Sequence, residues 1–365
     1  MRFTCPTWPP DWPEIERSIS EAVQSGDWGR YRSANHDVLR AGLADMFNCR
    51  HVRLVSSGTA AIELCLRAAG VGRGDEVVVA AFDYPGNFRS IELVEACPVL
   101  LDIDPTTFSI APESLEAAKS PKVKAVVVSH LYGHAAPISS LRMVCDSLGW
   151  VLIEDACQSP GLKVGKTPFG ALGHMGALSF GGSKPLTAGC GGAVLTNDDR
   201  LAARTNGLID RPSDALAISS LQAAALAPQL ERLAEMNQVR DRTARAIGRA
   251  ACRFPSWLAH PVTNPDTTPA YYKLAFSAAS RVQRDRVIGA AESFGLPIGA
   301  GFRSMHRSSV RRCRKPGDLP IAEKLGDSVF VLDHRALLID EPQHAELIEA
   351  LAALHDQTQS DPAAN

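Results

Sequence analysis

The segment Trp150–Asn197, WVLIEDACQSPGLKVGKTPFGALGHMGALSFGGSKPLTAGCGGAVLTN, contains three short apolar runs that each end in a polar cluster. WVLI leads into Glu154 and Asp155, ALSF into the turn that carries Lys184, and GGAVL into a threonine and an asparagine. Apolar runs of this length between turn residues favour buried strands, although periodicity alone does not exclude buried helices. Because α/β enzymes place their chemistry at the ends of buried strands, Asp155 and Lys184 are the first candidate site residues.

The residue types of Lys184 and Asp155 allow two interpretations. A lysine in a partly desolvated turn is an amine nucleophile that forms Schiff bases with aldehydes. A carboxylate that faces a pyridine nitrogen keeps the ring protonated, as pyridoxal 5'-phosphate (PLP) requires in order to accept electrons. The alternative is a surface lysine and an N-capping aspartate, which is the preferred interpretation for an isolated pair. The surrounding motifs therefore decide between the two.

A candidate anion site lies earlier in the chain, in Val55–Gly70, which reads VSSGTAAIELCLRAAG. Gly58 and Thr59 belong to a small-residue turn that opens a helix ending at Gly70. The exposed N–H groups and the positive end of the helix dipole at such a turn attract anions. An ordinary N-cap by serine or threonine explains the same pattern, so the turn alone leaves both interpretations open.

Strand and helix patterns alternate along the chain. GDEVVVAAF, CPVLLDIDP and VKAVVVSHLYGH read as buried strands, and FSIAPESLEAAKS between the last two contains a helical run. Earlier helices are predicted at Pro13–Gln24, within an N-terminal arm, and at Asp37–Phe47. This alternation predicts a mostly parallel sheet covered by helices on both faces. After Arg204 the chain reads as a long alanine-rich helical connection, followed by YYKLAFSA and SVFVLD as strands of a smaller domain.

These motifs occur in the order and spacing of one protein family. VSSGTAAIELCLRAAG, GDEVVVAAFDY, CPVLLDIDPTTFSI, HLYGH, VLIEDACQSPG and GALSFGGSKPLTAGCGGAVLTND together resemble DegT/StrS-type PLP-dependent sugar aminotransferases, which have the aspartate-aminotransferase fold (fold type I). The resemblance implies an α/β protein whose large domain holds a mostly parallel seven-stranded sheet between helices, followed by a smaller α+β C-terminal domain. We place the large PLP-binding domain, with its N-terminal arm, at residues 1–240 and the small domain at residues 241–365.

The resemblance implies roles for four residues around the cofactor ring. Lys184 is the Schiff-base lysine and, once substrate displaces it, the group that moves a proton between the substrate carbon and the cofactor. Asp155 pairs with the pyridine nitrogen, and Gln158 contacts the 3-hydroxyl of the ring. Tyr84 lies over the ring, as offset stacking favours.

The same resemblance assigns the cofactor phosphate to Gly58, Thr59 and Ser179. It also reveals a departure in the glycine loop after the lysine, where the family usually has an acidic residue and this chain has Cys190. This change leaves the role of the loop open.

A second departure concerns residues that the family takes from the partner subunit. An asparagine and a nearby arginine usually precede its Leu-Gln-Ala-Ala helix. Aligned on Leu221–Ala224, these positions are Ala215 and Ala217 in this chain. This puts the cross-subunit phosphate contact and substrate recognition in doubt. Asn206 and Asn237 are candidate replacements.

The function implied by the resemblance is that of an enzyme. It is a PLP-dependent aminotransferase that moves an amino group from glutamate or glutamine to a keto-sugar, a nucleotide-keto-sugar or a related cyclitol ketone, by a ping-pong Schiff-base mechanism. A homodimer is expected, because this fold builds its site across a subunit interface. The departures at Cys190, Ala215 and Ala217 favour the alternative of a non-catalytic or altered-activity PLP-binding regulatory homologue. A sugar dehydratase is less favoured, since such relatives replace the lysine with histidine.

Composition limits the function further. The net charge of −2 over 365 residues does not indicate nucleic-acid binding. No apolar run approaches the roughly 20 residues of a membrane span. The nine cysteines occur singly and form no CxxC pair, which favours a reducing cytoplasm. His130 and His134 lack a third ligand nearby, so we expect no metal site and a structural role for His130.

The segment at residues 301–318, GFRSMHRSSVRRCRKPGD, is strongly basic. Guanidinium groups pair with diphosphates and carboxylates, so the cluster and His306 are candidate substrate contacts. Most charge runs are instead solvated loops. The cations of this cluster are Arg303, Arg307, Arg311, Arg312, Arg314 and Lys315.

Overall fold

The computed structural model describes residues 2–210 and 214–359. Residues 1, 211–213 and 360–365, which the predicted domains include, lie outside the described residues. The helices are α1 (Pro13–Gln24), α2 (Ala34–Phe47), α3 (Gly58–Ala68), α4 (Pro85–Leu93), α5 (Ile138–Leu148), α6 (Asp199–Ile209), α7 (Ser220–Arg249), α8 (Arg281–Ala291), α9 (Pro320–Ser328) and α10 (His344–Gln359). The strands are β1 (His51–Val55), β2 (Glu76–Ala80), β3 (Cys97–Leu101), β4 (Val123–Ser129), β5 (Val151–Asp155), β6 (Lys163–Val164), β7 (Thr167–Pro168), β8 (Met175–Ser179), β9 (Gly192–Thr196), β10 (Leu258–Ala259), β11 (Thr267–Thr268), β12 (Lys273–Ser277), β13 (Ile298–Ala300) and β14 (Val329–Asp333).

A seven-stranded sheet forms the centre of the protein, with the strand order β1-β9-β8-β5-β4-β2-β3. The strand β9 pairs antiparallel with both of its neighbours, and the other neighbouring strands pair in parallel. The predicted mostly parallel sheet is therefore confirmed. The three apolar runs of the opening segment form β5, β8 and β9. The polar ends of the parallel strands β5 and β8 lie at one edge of the sheet, whereas the polar end of the antiparallel strand β9 lies at the opposite edge.

The sheet is held by apolar burial on both faces. Val77, Val78 and Val79 of β2 are all 0% exposed, so side chains that point to opposite faces of the strand are covered alike. Burying one such side chain contributes roughly 1.5–3 kcal/mol to the free energy of unfolding. A strand covered on both faces reads as a continuous apolar run, which explains why the sequence identified β2, β3 and β4.

One predicted helix has a different form. The run FSIAPESLEAAKS, expected to be helical between β3 and β4, forms only a 3-10 helix at Pro112–Ala118. Pro112 at its first position has no N–H to donate, and so short a helix readily closes the tighter 3-10 hydrogen bonds. The other helices predicted in the first half are present as α1 and α2.

A four-stranded antiparallel sheet, β10-β12-β14-β13, lies in the C-terminal part of the chain and has its own apolar core. Its central strands β12 and β14 are the two that the sequence predicted. The connection to this sheet is α7, a single helix that begins with a capping box between Ser219 and Gln222. The helix spans residue 240, so the division of the chain at residues 240 and 241 stays a prediction.

The N-terminal arm packs on the body of the same chain. Helix α1 lies against α7, and the Ser18 hydroxyl donates to the Ala224 carbonyl at 2.9 Å. Farther back, Phe3 is 3% exposed and joins the core of the small sheet. Its N–H donates to the Phe294 carbonyl at 2.8 Å. The arm therefore contacts both α7 and the core of the small sheet.

Candidate active site

The C-terminal ends of β5 and β8 and the N-terminal end of α3 border one cavity of about 270 Å³. The seven residues that the resemblance assigns to the cofactor all line this cavity: Gly58, Thr59, Tyr84, Asp155, Gln158, Ser179 and Lys184. The cavity is also lined by residues that this assignment did not include: Ser57, Ile62, Asn87, Cys157, Ser183 and Tyr272.

Asp155 is the last residue of β5 and is 4% exposed. Its carboxylate accepts hydrogen bonds from the Asn87 side-chain amide at 2.8 Å, from the Ser129 hydroxyl at 3.3 Å and from the Cys157 N–H at 3.0 Å. These donors come from α4, from the end of β4 and from the turn after β5. They hold the carboxylate in one orientation at the floor of the cavity.

A second carboxyl group, Asp83, lies beside Asp155 and is 1% exposed. The Asn87 amide reaches both groups, with its nitrogen 3.5 Å from Asp83 and 2.8 Å from Asp155. Burial raises the pKa of Asp83 to about 7, and the negative charge of Asp155 adds to the rise. Asp83 therefore keeps its proton to a higher pH than an exposed aspartate does.

The raised pKa of Asp83 makes the stability of the PLP-free protein depend on pH. The folded state keeps the Asp83 proton up to about pH 7, whereas an unfolded aspartate loses it near pH 4, so the free energy of unfolding should fall as pH rises through this range. The loss is at most about 4 kcal/mol, because one pKa unit corresponds to roughly 1.4 kcal/mol. Urea unfolding at a series of pH values should show this slope in the wild type and a flatter profile in Asp83→Asn. Asp318→Asn, at an exposed position, is the control and should keep the wild-type slope.

The turn before α3 forms one wall of the cavity. The Ser57 hydroxyl accepts from the Ala60 N–H at 3.1 Å, so Ser57 is the N-cap of α3. Gly58 begins the helix with no room for a side chain, since a Cβ there would lie 2.7 Å from the Ser179 Cβ and 3.0 Å from the Cys157 sulfur. The glycine therefore lets the first N–H groups of α3 approach the cavity.

Gly58→Ala should weaken PLP binding by roughly 10- to 100-fold, because an overpacked contact costs about 1–3 kcal/mol. The added methyl group should push Ser179 away from the first turn of α3, and both Ser179 and this turn border the cavity. Titration of the PLP-free protein with PLP, followed by fluorescence, measures the change. Gly72→Ala is the matched control, because a Cβ at Gly72 would meet nothing within 4 Å. Equal affinities for the two variants would contradict the expectation.

Lys184 lies in the turn after β8 and points its amine into the cavity. The amine is 4.2 Å from the centre of the Tyr272 ring, and the adjacent Ser183 hydroxyl is hydrogen-bonded to the Tyr272 hydroxyl at 2.8 Å. The Ser183 carbonyl accepts from His334 Nε2 at 3.1 Å. Tyr272 and His334, which lie next to strands of the small sheet, therefore hold the lysine turn.

The His334 ring is fixed by a buried arginine. Arg240 is 0% exposed and donates to His334 Nδ1 at 3.2 Å and to the Asn237 side-chain oxygen Oδ1 at 3.0 Å. Burial, followed by the nearby Arg240 charge, lowers the pKa of His334 to about 3. The ring is therefore neutral, and its remaining proton lies on the nitrogen that faces Ser183.

Gln158, one of the predicted cofactor residues, has a buried side-chain atom with an unsatisfied hydrogen bond. It is 5% exposed, and its side-chain carbonyl oxygen is buried without a hydrogen-bond partner among the described residues. An unpaired buried acceptor costs about 1–3 kcal/mol, so its partner is expected to come from a ligand in the cavity.

The departures in the sequence lie outside the cavity. Cys190 is exposed, and its carbonyl accepts from the Gln222 side chain at 3.1 Å. Ala215 and Ala217 are exposed, and Ala217 borders a separate surface cavity with Asn206. Asn237 is buried and donates to the Pro160 carbonyl at 3.0 Å, so its side chain is engaged within its own subunit.

The basic segment at 301–318 divides into two kinds of cation. Arg312 forms paired hydrogen bonds to Glu92 of α4, and Arg314 does the same with Glu76 of β2, so these two arginines hold the segment on the large domain. Lys315 donates to backbone carbonyls of the segment itself. Arg303, Arg307 and Arg311 are exposed, and none of the segment's cations lines the cavity described above.

The two histidine candidates of the sequence analysis lie away from the cavity. His130 is 0% exposed and bonded to Glu154 at 2.9 Å, and its other ring nitrogen accepts from the Ala136 N–H. These contacts agree with the structural role expected for it. His306 contacts Ser304 at 2.9 Å and Glu323 at 3.3 Å within the basic region.

A family model described as the DegT/DnrJ/EryC1/StrS aminotransferase family matches residues 11–351. The chain belongs to this family. Its members are the proteins that the sequence motifs resemble, so the expected family is confirmed. The chain is a PLP-dependent aminotransferase with fold type I.

Individual relatives agree with this assignment. The chain is 31% identical to the L-glutamine:2-deoxy-scyllo-inosose aminotransferase of Micromonospora echinospora, over 94% of this chain and 93% of the relative. It is also 31% identical to the GDP-perosamine synthase of Caulobacter vibrioides, over 84% of each. The crystal structure of 3-amino-5-hydroxybenzoic acid synthase superposes with a TM-score of 0.89 at 25% identity, over 98% of this chain and 100% of the other. Within residues 2–210 and 214–359, no helix has the length and apolarity that crossing a membrane requires.

Proposed function

We propose that this aminotransferase moves the amino group of L-glutamine to the ketone of a cyclitol, with a keto-sugar as the broader class of acceptor. The observation that carries the proposal is the similarity, over nearly the whole chain, to an aminotransferase named for L-glutamine and 2-deoxy-scyllo-inosose. Glutamate is the second candidate donor. The acceptor class is consistent with the GDP-perosamine synthase relative, whose product is an amino sugar.

The residues of the cavity fit PLP. Gln158 offers a buried side-chain carbonyl oxygen that has no partner within residues 2–210 and 214–359 and matches the position expected at the 3-hydroxyl. Asp155 would pair with the ring nitrogen, and Tyr84 would cover the ring. The phosphate would be held by residues that share the N-terminal end of α3 or face it: Gly58, Thr59 and Ser179.

Bound PLP supplies an aldehyde for amine exchange and a protonated ring that accepts electrons from the substrate carbon. Lys184 anchors the cofactor and, as a free amine, moves the proton at that carbon. The Asp155 carboxylate, fixed by three donors, keeps the ring nitrogen charged. Asn87 and Asp155, at this end of the cavity, form a buried polar cluster with Asp83 and Ser129.

We further propose that the enzyme is a cytoplasmic homodimer. All nine cysteines are free, which suits a reducing compartment. Two large side chains near the N-terminal arm are exposed, Trp28 at 58% and Tyr31 at 81%, and these suit burial in a subunit interface. Ala217 borders a surface cavity with Tyr31, so a partner at this surface would meet the segment that departs from the family.

The test is to add L-glutamine or L-glutamate to the PLP-loaded enzyme and to follow the absorption of the cofactor. We expect bleaching with glutamine, and then an amino product from 2-deoxy-scyllo-inosose that mass spectrometry detects. A GDP-linked keto-sugar is the competing acceptor, and exclusive use of it would overturn the cyclitol proposal. Bound PLP that no amino donor bleaches would instead indicate the regulatory homologue that the departures favour.

A further inference from the structure

Tyr272 makes two contacts with two consecutive residues of the lysine turn. It immediately precedes β12 of the small sheet, and it lines the cavity. Its hydroxyl is 2.8 Å from the Ser183 hydroxyl, and its ring centre is 4.2 Å from the Lys184 amine. One side chain of the small sheet thus contacts both the turn and the reactive group that the turn carries.

The lysine turn has few other restraints. Gly182 and Ser183 are exposed, and a Cβ built on Gly182 would approach nothing closer than 3.9 Å. The Lys184 N–H donates to the Gly181 carbonyl at 2.9 Å, which closes the turn locally. Toward the small sheet, the Ser183 carbonyl is held by His334, and the side chains of Ser183 and Lys184 are held by Tyr272.

The contact with the ring also supplies electrostatic compensation. The contacts of the Lys184 amine among the described residues include no carboxylate at ion-pair distance. A cation within about 6 Å of an aromatic ring centre is attracted by the negative face of the ring. Lys273 lies 4.7 Å from the same ring, but it is paired with the Asp333 carboxylate. The Tyr272 ring is therefore the main partner of the Lys184 charge.

We propose that Tyr272 is a positioning residue that holds the free ammonium group of Lys184 in place. The proposal rests on the proposed function, in which Lys184 must act as a free amine during each half-reaction. The lysine stem is flexible, so a group that has just been released needs a partner to stay near the substrate carbon. The ring provides that partner, and the bond between Tyr272 and Ser183 keeps the ring and the turn at a constant distance.

The first experiment measures Lys184 without any turnover. The full-length chain, freed of PLP, is treated briefly with acetic anhydride at neutral pH, and acetylation of the Lys184 peptide is followed by mass spectrometry. Loss of the ring in Tyr272→Leu should make Lys184 react about 3- to 10-fold faster, because the amine is no longer held against the ring. Tyr272→Phe keeps the ring and should react within about 2-fold of the wild type. Tyr272→Met is a second variant without the ring, should the leucine variant not fold.

The second experiment follows the reaction of the PLP-loaded enzyme. We expect kcat of Tyr272→Leu to fall roughly 10-fold while KM for the amino donor changes less than about 3-fold, since the lost contact concerns the free lysine and not the bound donor. Tyr272→Phe should recover most of kcat. A double-mutant cycle with Ser183→Ala then isolates the hydroxyl bond, because the loss in Tyr272→Phe and the loss in Ser183→Ala should not add.

Two outcomes overturn the proposal. Acetylation of Lys184 at the wild-type rate in both ring-less variants would show that the ring does not hold the amine. A kcat that Tyr272→Phe lowers as much as Tyr272→Leu would assign the effect to the hydroxyl alone. Borohydride trapping of PLP distinguishes these from failure of the proposed function. PLP trapped on Lys184 would support the proposed function whatever the Tyr272 variants show. PLP trapped on another lysine would overturn the proposed function itself.

Discussion

Lys184→Ala should lower kcat by at least about 10⁴-fold, because the variant loses both the amine that anchors PLP and the base that moves the proton. The structure gives the physical reason for choosing this lysine: its amine reaches the same cavity as Asp155 and Gln158. Steady-state amino transfer measures the loss. Borohydride reduction followed by peptide mass spectrometry should place PLP on Lys184 in the wild type and on no lysine in the variant.

Lys273→Met is the matched control for this prediction. Lys273 is the other amine beside the Tyr272 ring, but Asp333 engages it and it does not line the cavity. The control should keep PLP attachment and retain activity within about 10-fold, the loss reflecting its broken ion pair. PLP found on Lys273 in the wild type would refute the role of Lys184.

Asp155→Asn should lower kcat by about 10²–10³-fold, a typical effect of removing one preorganised electrostatic group. The change keeps the shape of the side chain and removes the negative charge that would hold the ring nitrogen protonated. Three donors that now face an anion, from Asn87, Ser129 and Cys157, would face a neutral amide. Rapid mixing with amino donor, followed by cofactor absorption, measures the first half-reaction directly.

The control for Asp155 is its buried neighbour. Asp83 has a pKa raised to about 7, so at neutral pH only about half of its population is ionised, and it does not line the cavity; Asp83→Asn should therefore lose less activity than Asp155→Asn. PLP methylated on its ring nitrogen carries a permanent positive charge and should restore part of the activity of Asp155→Asn. No recovery with this analogue, together with equal losses in the two variants, would mean that the cluster acts through structure alone.

Local sequence determined the framework and the predicted part of the site. The strands β2, β3, β4, β5 and β8 are short apolar runs bounded by turn residues. Such runs can be recognised in the sequence because both faces of the sheet are buried. Since chemistry sits where these strands end, Asp155 and Lys184 followed from position and residue type. The turn at Gly58 could also be predicted from the sequence, because a helix start and a small-residue turn are both local patterns.

The tertiary structure alone decided which residues support these groups. Asn87, Ser129 and Asp83 gather around Asp155 from separate segments, and 89 residues separate Ser183 from Tyr272. No local pattern marks a tyrosine before a small-sheet strand as a partner of a lysine, because the contact exists only after the two sheets have packed. The basic segment illustrates the same limit.

The sequence of the basic segment at 301–318 favoured a solvated loop and kept a ligand site as the alternative. The fold shows that Arg312 and Arg314 are engaged by Glu92 and Glu76, on elements more than 200 positions away. Periodicity and turn chemistry act between neighbours and determine strands, helices and their ends. The partners of a charge depend on which surfaces meet, and only the folded chain brings those surfaces together.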